Sequence, residues 1–158
     1  KRMKPRHLRD DAIRFCETAR RLRPDIVFGA DLIAGFPTET EEMFANTLDI
    51  VESCGLTYLH VFPFSPRKGT PAARMPQVDR AAVKERAARL RAAGEAAHAR
   101  YLDRLEGTRI EILMERETVG RTPHFAEVSV DRTAPVGTLQ WATLGCHDGR
   151  RVKGMVTA

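Results

Sequence analysis

The stretch from Asp25 to Phe44 constrains the fold most. An apolar run over 25–34 ends in Gly35-Phe36-Pro37, and an acidic helical pattern begins at once. A near-continuous apolar run fits a strand buried on both faces, as in a parallel sheet. Thr38 and Glu41 have capping-box spacing. Met43, Phe44, Thr47, Leu48 and Val51 form the apolar stripe of the helix that follows. Gly55 suits a left-handed C-terminal cap, and a second strand runs from Thr57 to Phe62 before Pro63-Phe-Ser-Pro66 bends the chain away. Upstream, Leu8, Ala12, Phe15 or Cys16, Ala19 and Leu22 mark a helix over 7–23 that Pro24 stops. Helix–strand–helix–strand order implies parallel strands joined by a crossover. Two strands cannot bury both sheet faces. The missing strands are expected upstream, and the start at Lys1 rather than Met fits a piece of something longer.

Beyond Pro66 the pattern changes twice. Residues 67–78 read as an irregular loop. Asp79 caps a long helix to about Leu105, with Val83, Ala87, Leu90, Ala97, Tyr101 and Leu105 on its apolar side, and Gly107 ends it. From Thr108 the period becomes two, with four strands expected: Ile110 to Met114, Phe125 to Val130, Leu139 to Thr143 and Val152 to Val156. Gly120-Arg121, Val136-Gly137 and Asp148-Gly149 punctuate them. The expected fold class is therefore α/β followed by all-β: βα units over 1–78, a linking helix over 79–107, and a small antiparallel barrel of the oligonucleotide-binding (OB-like) type over 108–158. A plain all-β adaptor is the alternative for the last part.

Charge is mild overall, with 26 Lys+Arg against 21 Asp+Glu, but it is unevenly placed. No Lys or Arg lies between Arg23 and Arg67, whereas segments 1–30 and 65–107 each carry a net +5. Two readings stand: one basic face around a less charged mouth, or two solvated Arg-rich helices. Three distant cysteines, Cys16, Cys54 and Cys146, and the lack of an apolar spanning run point to a reducing cytoplasm and no membrane. His7, His60, His98, His124 and His147 have no ligand spacing, so no metal site is assigned.

Candidate site residues cluster at the carboxyl ends of the two strands. Gly35 leaves room for a ligand such as adenine at the strand backbone, or simply makes a tight turn. Asp31, inside an apolar strand, must be paired or hydrogen-bonded if buried; a structural ion pair is the preferred role, with the barrel interior as the other. Glu39, Glu41 and Glu42 suit a helix N-terminus as capping and solvent residues. Phe62 and Phe64 pack against adenine or belong to the core, and Arg67 is placed to hold a carboxylate or phosphate.

These residues carry a resemblance. Asp31-Leu-Ile-Ala-Gly-Phe-Pro-Thr-Glu-Thr40 is similar to the Asp-x-Ile-x-Gly-Phe-Pro-Gly-Glu-Thr segment of the radical S-adenosylmethionine (SAM) methylthiotransferases, with Thr38 where Gly is usual. Phe62-Pro-Phe-Ser-Pro-Arg-Lys-Gly-Thr-Pro-Ala72 resembles their Phe-x-Tyr-Ser-x-Arg-x-Gly-Thr-x-Ala loop. Lys84-Glu-Arg86 and Leu90 match the following helix, and Gly120-Arg-Thr-Pro-His-Phe-Ala126 resembles the start of their RNA-binding TRAM barrel. The resemblance implies the closing βα units of a partial barrel. It implies SAM and [4Fe–4S] clusters as cofactors of the full-length protein, with Ile33, Gly35, Phe62, Phe64 and Arg67 at the SAM pocket. It also implies a methylthio group added at C2 of N6-threonylcarbamoyladenosine beside the anticodon, tRNA as partner, and completion by an N-terminal half. Arg109, Arg116, Arg121, His124, Trp141, Arg151 and Lys153 are the corresponding RNA-contact candidates, since RNA binding needs cations and a stacking ring; Trp141 is equally open to a core role. The family's Cys-x3-Cys-x2-Cys run is absent from these residues, so the chain alone is expected to be inactive. Rival readings are a methylthiotransferase acting on a ribosomal protein, a non-catalytic RNA-binding module, and a protein-interaction domain.

Overall fold

In the computed structural model, residues 8–157 are described; His7, the helix start expected there, and Lys1 lie outside them. The chain divides between Ala97 and His98 into two compact units.

In the first unit, α1 (Arg9–Leu22), β1 (Phe28–Ala34), α2 (Glu41–Ser53) and β2 (Leu56–Pro63) precede a single 3-10 turn (Ala72–Arg74) and the start of α3 (Arg80–Asp103). β1 and β2 pair in parallel, with Asp31 opposite His60 and Ile33 opposite Phe62. The alternation demanded by the strand period sorts the sheet into two faces. Phe28, Ala30, Leu32, Leu59 and Val61 pack with Ala34 into a core that also holds Phe44, Val51, Ala87, Leu90 and Ala97. The opposite face, with Asp31, Ile33, His60 and Phe62, is exposed. A two-stranded sheet can turn only one side to its helices, as expected of these two strands by themselves. Asp31 lies on that open face, opposite His60.

Several local expectations are revised. Of the alternatives on α1, Cys16 is the buried residue, while Phe15 and Leu22 are exposed. Helix α2 is capped by Thr40, whose hydroxyl accepts the Met43 N–H at 3.2 Å, and not by Thr38. Met43 faces solvent. Thr38 instead holds a φ of 67°. A β-branched residue in this left-handed region carries about 1–2 kcal/mol of strain, and glycine gives back part of that gain through its larger unfolded-state entropy. Thr38→Gly should therefore stabilise the chain by about 0.5–1 kcal/mol, seen as a raised thermal midpoint by circular dichroism; a lowered midpoint would refute the strain argument.

Helix α3 starts as expected, with Asp79 Oδ2 accepting the Ala81 and Ala82 N–H groups. It contributes Ala87, Leu90 and Ala97 to the first core, and its buried Tyr101 and Leu102 lie past the division.

The second unit is a closed five-stranded barrel, ordered β3-β4-β5-β7-β6, as in an OB-like architecture. Its strands are β3 (Arg109–Arg116), β4 (Val119–Arg121), β5 (Glu127–Val130), β6 (Leu139–His147) and β7 (Arg151–Thr157). All pairs are antiparallel except β5·β7, which is parallel. Four strands were expected; the fifth, β4, contains the Gly120-Arg121 pair read as a turn. Gly120 is a packing glycine: a Cβ there would lie 2.8 Å from the Ile112 Cδ1. Phe125, expected in a strand, precedes β5 at φ 69°.

Candidate functional site

The carboxyl end of the β1–β2 pair assembles only part of the expected ligand pocket. Ile33 and Phe62 are register partners on the open sheet face, 43% and 51% exposed, beside Asp31 and His60. They form an apolar platform with a carboxylate and an imidazole one step back along the strands. Arg67 is exposed in the loop beyond β2, its carbonyl accepting the Thr70 hydroxyl.

Gly35 and Phe64 are held differently. Gly35 turns with φ 76°, and a Cβ built on it would come within 2.5 Å of Val83 on α3. The room at this glycine is thus already taken by the helix. Its N–H donates to Glu39 Oε2 at 2.9 Å. Phe64 extends the ladder, its N–H donating to the Ala34 carbonyl, and its ring meets Phe36 edge-on at 5.3 Å. Both residues border a groove of about 880 Å³ beside α3.

Glu39 is the residue that sequence reasoning underrated. Expected as a capping and solvent group, it is nearly buried, with a side-chain exposure of 9%, the same as that of Arg86. Arg86 donates to its carboxylate and to its carbonyl at 2.9 and 3.0 Å. Exposed Glu41 bridges Arg86 and Arg89, and the hydrogen bond from Arg89 holds its carboxyl below the usual carboxylate range. Both guanidinium groups lie over Phe44, at 5.6 and 4.7 Å from the ring centre. This network ties the Gly35 turn and the start of α2 to α3.

On the barrel, the seven RNA-contact candidates fall into two sets. Trp141 is 45% exposed on the outer wall, which removes the core alternative. Arg109 lies over its ring at 4.8 Å and bonds Thr157 Oγ1. Lys153 and Arg116 are exposed. Arg121, by contrast, is engaged by Glu115 at 2.8 Å and by Glu127 at 3.6 Å, and Arg151 also pairs with Glu127. Those two cations are largely neutralised by carboxylates. His124 is half-buried in the β4–β5 turn. Phe125, beside it, is 68% exposed and braced by the Thr122 carbonyl and the Arg121 guanidinium. Leu139 on β6, with Leu113 on β3 and Met155 on β7, adds apolar surface to the strand of Trp141 and its two neighbours. Period-two reasoning could have placed Leu139 and Met155 outward, whereas nothing local in the sequence signals the left-handed backbone of Phe125.

No group of three or more metal-ligating side chains occurs among the described residues. Cys16 and Cys54 are buried. Burial, and then the neighbouring Cys16 thiol, push Cys54 up to about 11. Cys146 belongs to the other unit, which leaves only the Cys16 and Cys54 pair in the first. These residues do not fit a [4Fe–4S] cluster. No helix among the described residues is long and apolar enough to cross a membrane.

Parallel βα units followed by an OB-like barrel set the architecture, and comparison sets the family. No protein-family model matches the chain. It is 47% identical over 150 residues to the threonylcarbamoyladenosine tRNA methylthiotransferase MtaB of Rickettsia prowazekii (strain Madrid E), covering 94% of this chain and 36% of that protein. It is 36% identical over 146 residues to the tRNA-2-methylthio-N(6)-dimethylallyladenosine synthase of Bartonella bacilliformis, covering 88% of this chain and 32% of that protein. With the synthase of that name from Ruegeria pomeroyi it is 41% identical over 123 residues, or 78% of this chain and 28% of that protein. The chain belongs to the radical SAM methylthiotransferase family. It spans about a third of the length of these curated relatives.

Proposed function

We propose that this chain is the C-terminal portion of a tRNA methylthiotransferase that acts at C2 of N6-threonylcarbamoyladenosine beside the anticodon. The observation that carries the reading is the 47% identity over 94% of the chain to the Rickettsia protein of that printed activity, against 36–41% for the dimethylallyladenosine synthases. In this reading residues 1–78 close the partial barrel, 79–107 form the link and 108–158 hold RNA. SAM and [4Fe–4S] clusters supply the radical and sulfur chemistry in the whole protein, and the N-terminal half of the same polypeptide brings the cluster ligands. The contribution of this chain to SAM is packing and charge: Ile33 and Phe62 as an apolar wall, Arg67 as a cation for its carboxylate. Gly35 and Phe64 act at second hand by shaping the turn, because Val83 and Phe36 occupy the space beside them. The anticodon stem-loop is the partner, and the cytoplasm is the compartment that such a substrate dictates.

The test is nucleoside analysis of tRNA from cells lacking the gene. Loss of the methylthio group from threonylcarbamoyladenosine, restored by the whole gene but not by the 158-residue chain, supports the reading. Loss from dimethylallyladenosine instead, or no change in tRNA, refutes it. The barrel assignment has its own measurement. Base stacking on an aromatic side chain contributes about 1–3 kcal/mol, so Trp141→Ala should weaken anticodon stem-loop binding about tenfold or more. The side chain stands outside the barrel wall, so the thermal midpoint should stay nearly constant. Unchanged affinity would remove Trp141 from the RNA interface.

A further inference from the structure

We propose that the groove between the carboxyl end of the β1–β2 pair and the first three turns of α3 holds the phosphodiester backbone of the RNA; this rests on the tRNA reading above. The groove, about 880 Å³, has apolar walls that include Phe64, Pro66, Val78 and Val83. Its charged lining is Arg80, Lys84 and Arg91, and no carboxylate borders it. Spacings of four and seven residues put the three cations on one stripe of the helix. They span about 16 Å of helix axis, against one phosphate per roughly 3.4 Å along a duplex strand.

The other cations of this stretch provide the contrast. Arg86 and Arg89 point to a different stripe and are bound by Glu39, Glu41 and Glu85. Arg80, Lys84 and Arg91 engage no carboxylate among the described residues. Three uncompensated positive charges over a low-dielectric wall focus a positive potential into the groove. Polyphosphate backbone is the complementary chemistry, because each neutralised phosphate also releases a counterion. Ser65 adds a hydroxyl to the lining. The neutral apolar residues leave room for sugars without selecting a base, so the groove grips backbone and positions the loop without reading sequence.

The experiment measures binding of the 158-residue chain to anticodon stem-loop RNA as a function of salt. Removing the three cations together, Arg80→Ala with Lys84→Ala and Arg91→Ala, should cost at least about tenfold in affinity at low salt. It should also flatten the log K against log salt slope by about 2, at roughly 0.7–0.9 per phosphate contact. Ala81→Trp, which fills the groove without changing charge, should weaken binding in the same direction. Removing three exposed cations of α1 and its C-terminal cap, Arg14→Ala with Arg21→Ala and Arg23→Ala, controls for net charge and should change affinity less. A groove variant that binds like the wild type, or loses no more than the α1 control, overturns the groove while leaving the tRNA reading intact. Failure of the wild-type chain to bind at low salt overturns both. Loss on the groove variant with none on Trp141→Ala upholds the groove and moves the RNA interface away from the barrel.

Discussion

Arg86→Ala is expected to destabilise the first unit by about 3–5 kcal/mol, the usual cost of breaking one half of a buried ion pair. The change strands the nearly buried Glu39 carboxylate, whose other partner among the described residues is the Gly35 N–H. It also strips one of the two cations from above Phe44 and removes the donor to the Glu39 carbonyl. For a unit of this size each kcal/mol moves the midpoint by about 4–8 °C. Circular dichroism should therefore show a drop of roughly 15 °C or more. Arg86→Met with Glu39→Gln removes both charges at similar volume and should recover most of the loss, because the desolvation cost disappears with the pair. A drop of only a few degrees for Arg86→Ala would mean that Glu39 reaches solvent and that the network is peripheral.

Gly35→Val should be nearly as damaging, at about 2–5 kcal/mol, for two separable reasons. A β-branched residue at φ 76° carries backbone strain of about 1–2 kcal/mol. The new side chain also collides with Val83, adding an overpacking cost of about 1–3 kcal/mol. Val83→Ala should relieve the second part and leave the first. A double-mutant cycle between positions 35 and 83 should therefore show a coupling of about 1 kcal/mol or more. Additivity would instead place the whole effect in the backbone.

The order of elements was legible because period and punctuation agree over long stretches. Pro24, Gly55 and Asp79 bound their helices as their chemistry requires. The misreadings occur where a residue's reason is nonlocal. Gly120 looks like a turn, but it is dictated by Ile112 on the neighbouring strand β3. Glu39 looks like a solvent acid, but its partner lies 47 positions away. Thr38 and Thr40 offer competing caps, and only the backbone angle of Thr38 decides between them. At the site, Ile33 and Phe62 could be placed together from parallel pairing alone. The separation of Gly35 and Phe64 from them depends on α3, whose packing no short motif encodes. Arg121 and Arg151 were chosen for their charge, but Glu127 between them could not be located before the strand order was known.

The last strand of the barrel is also its keystone. β7 pairs with β5 on one side and β6 on the other, so the segments before it must wait for residues 151–157 before the ring can shut. Such end-dependent closure is nonlocal and slow by nature. A nascent chain halted before Arg151 would carry two raw strand margins, each an invitation to adhesion between molecules.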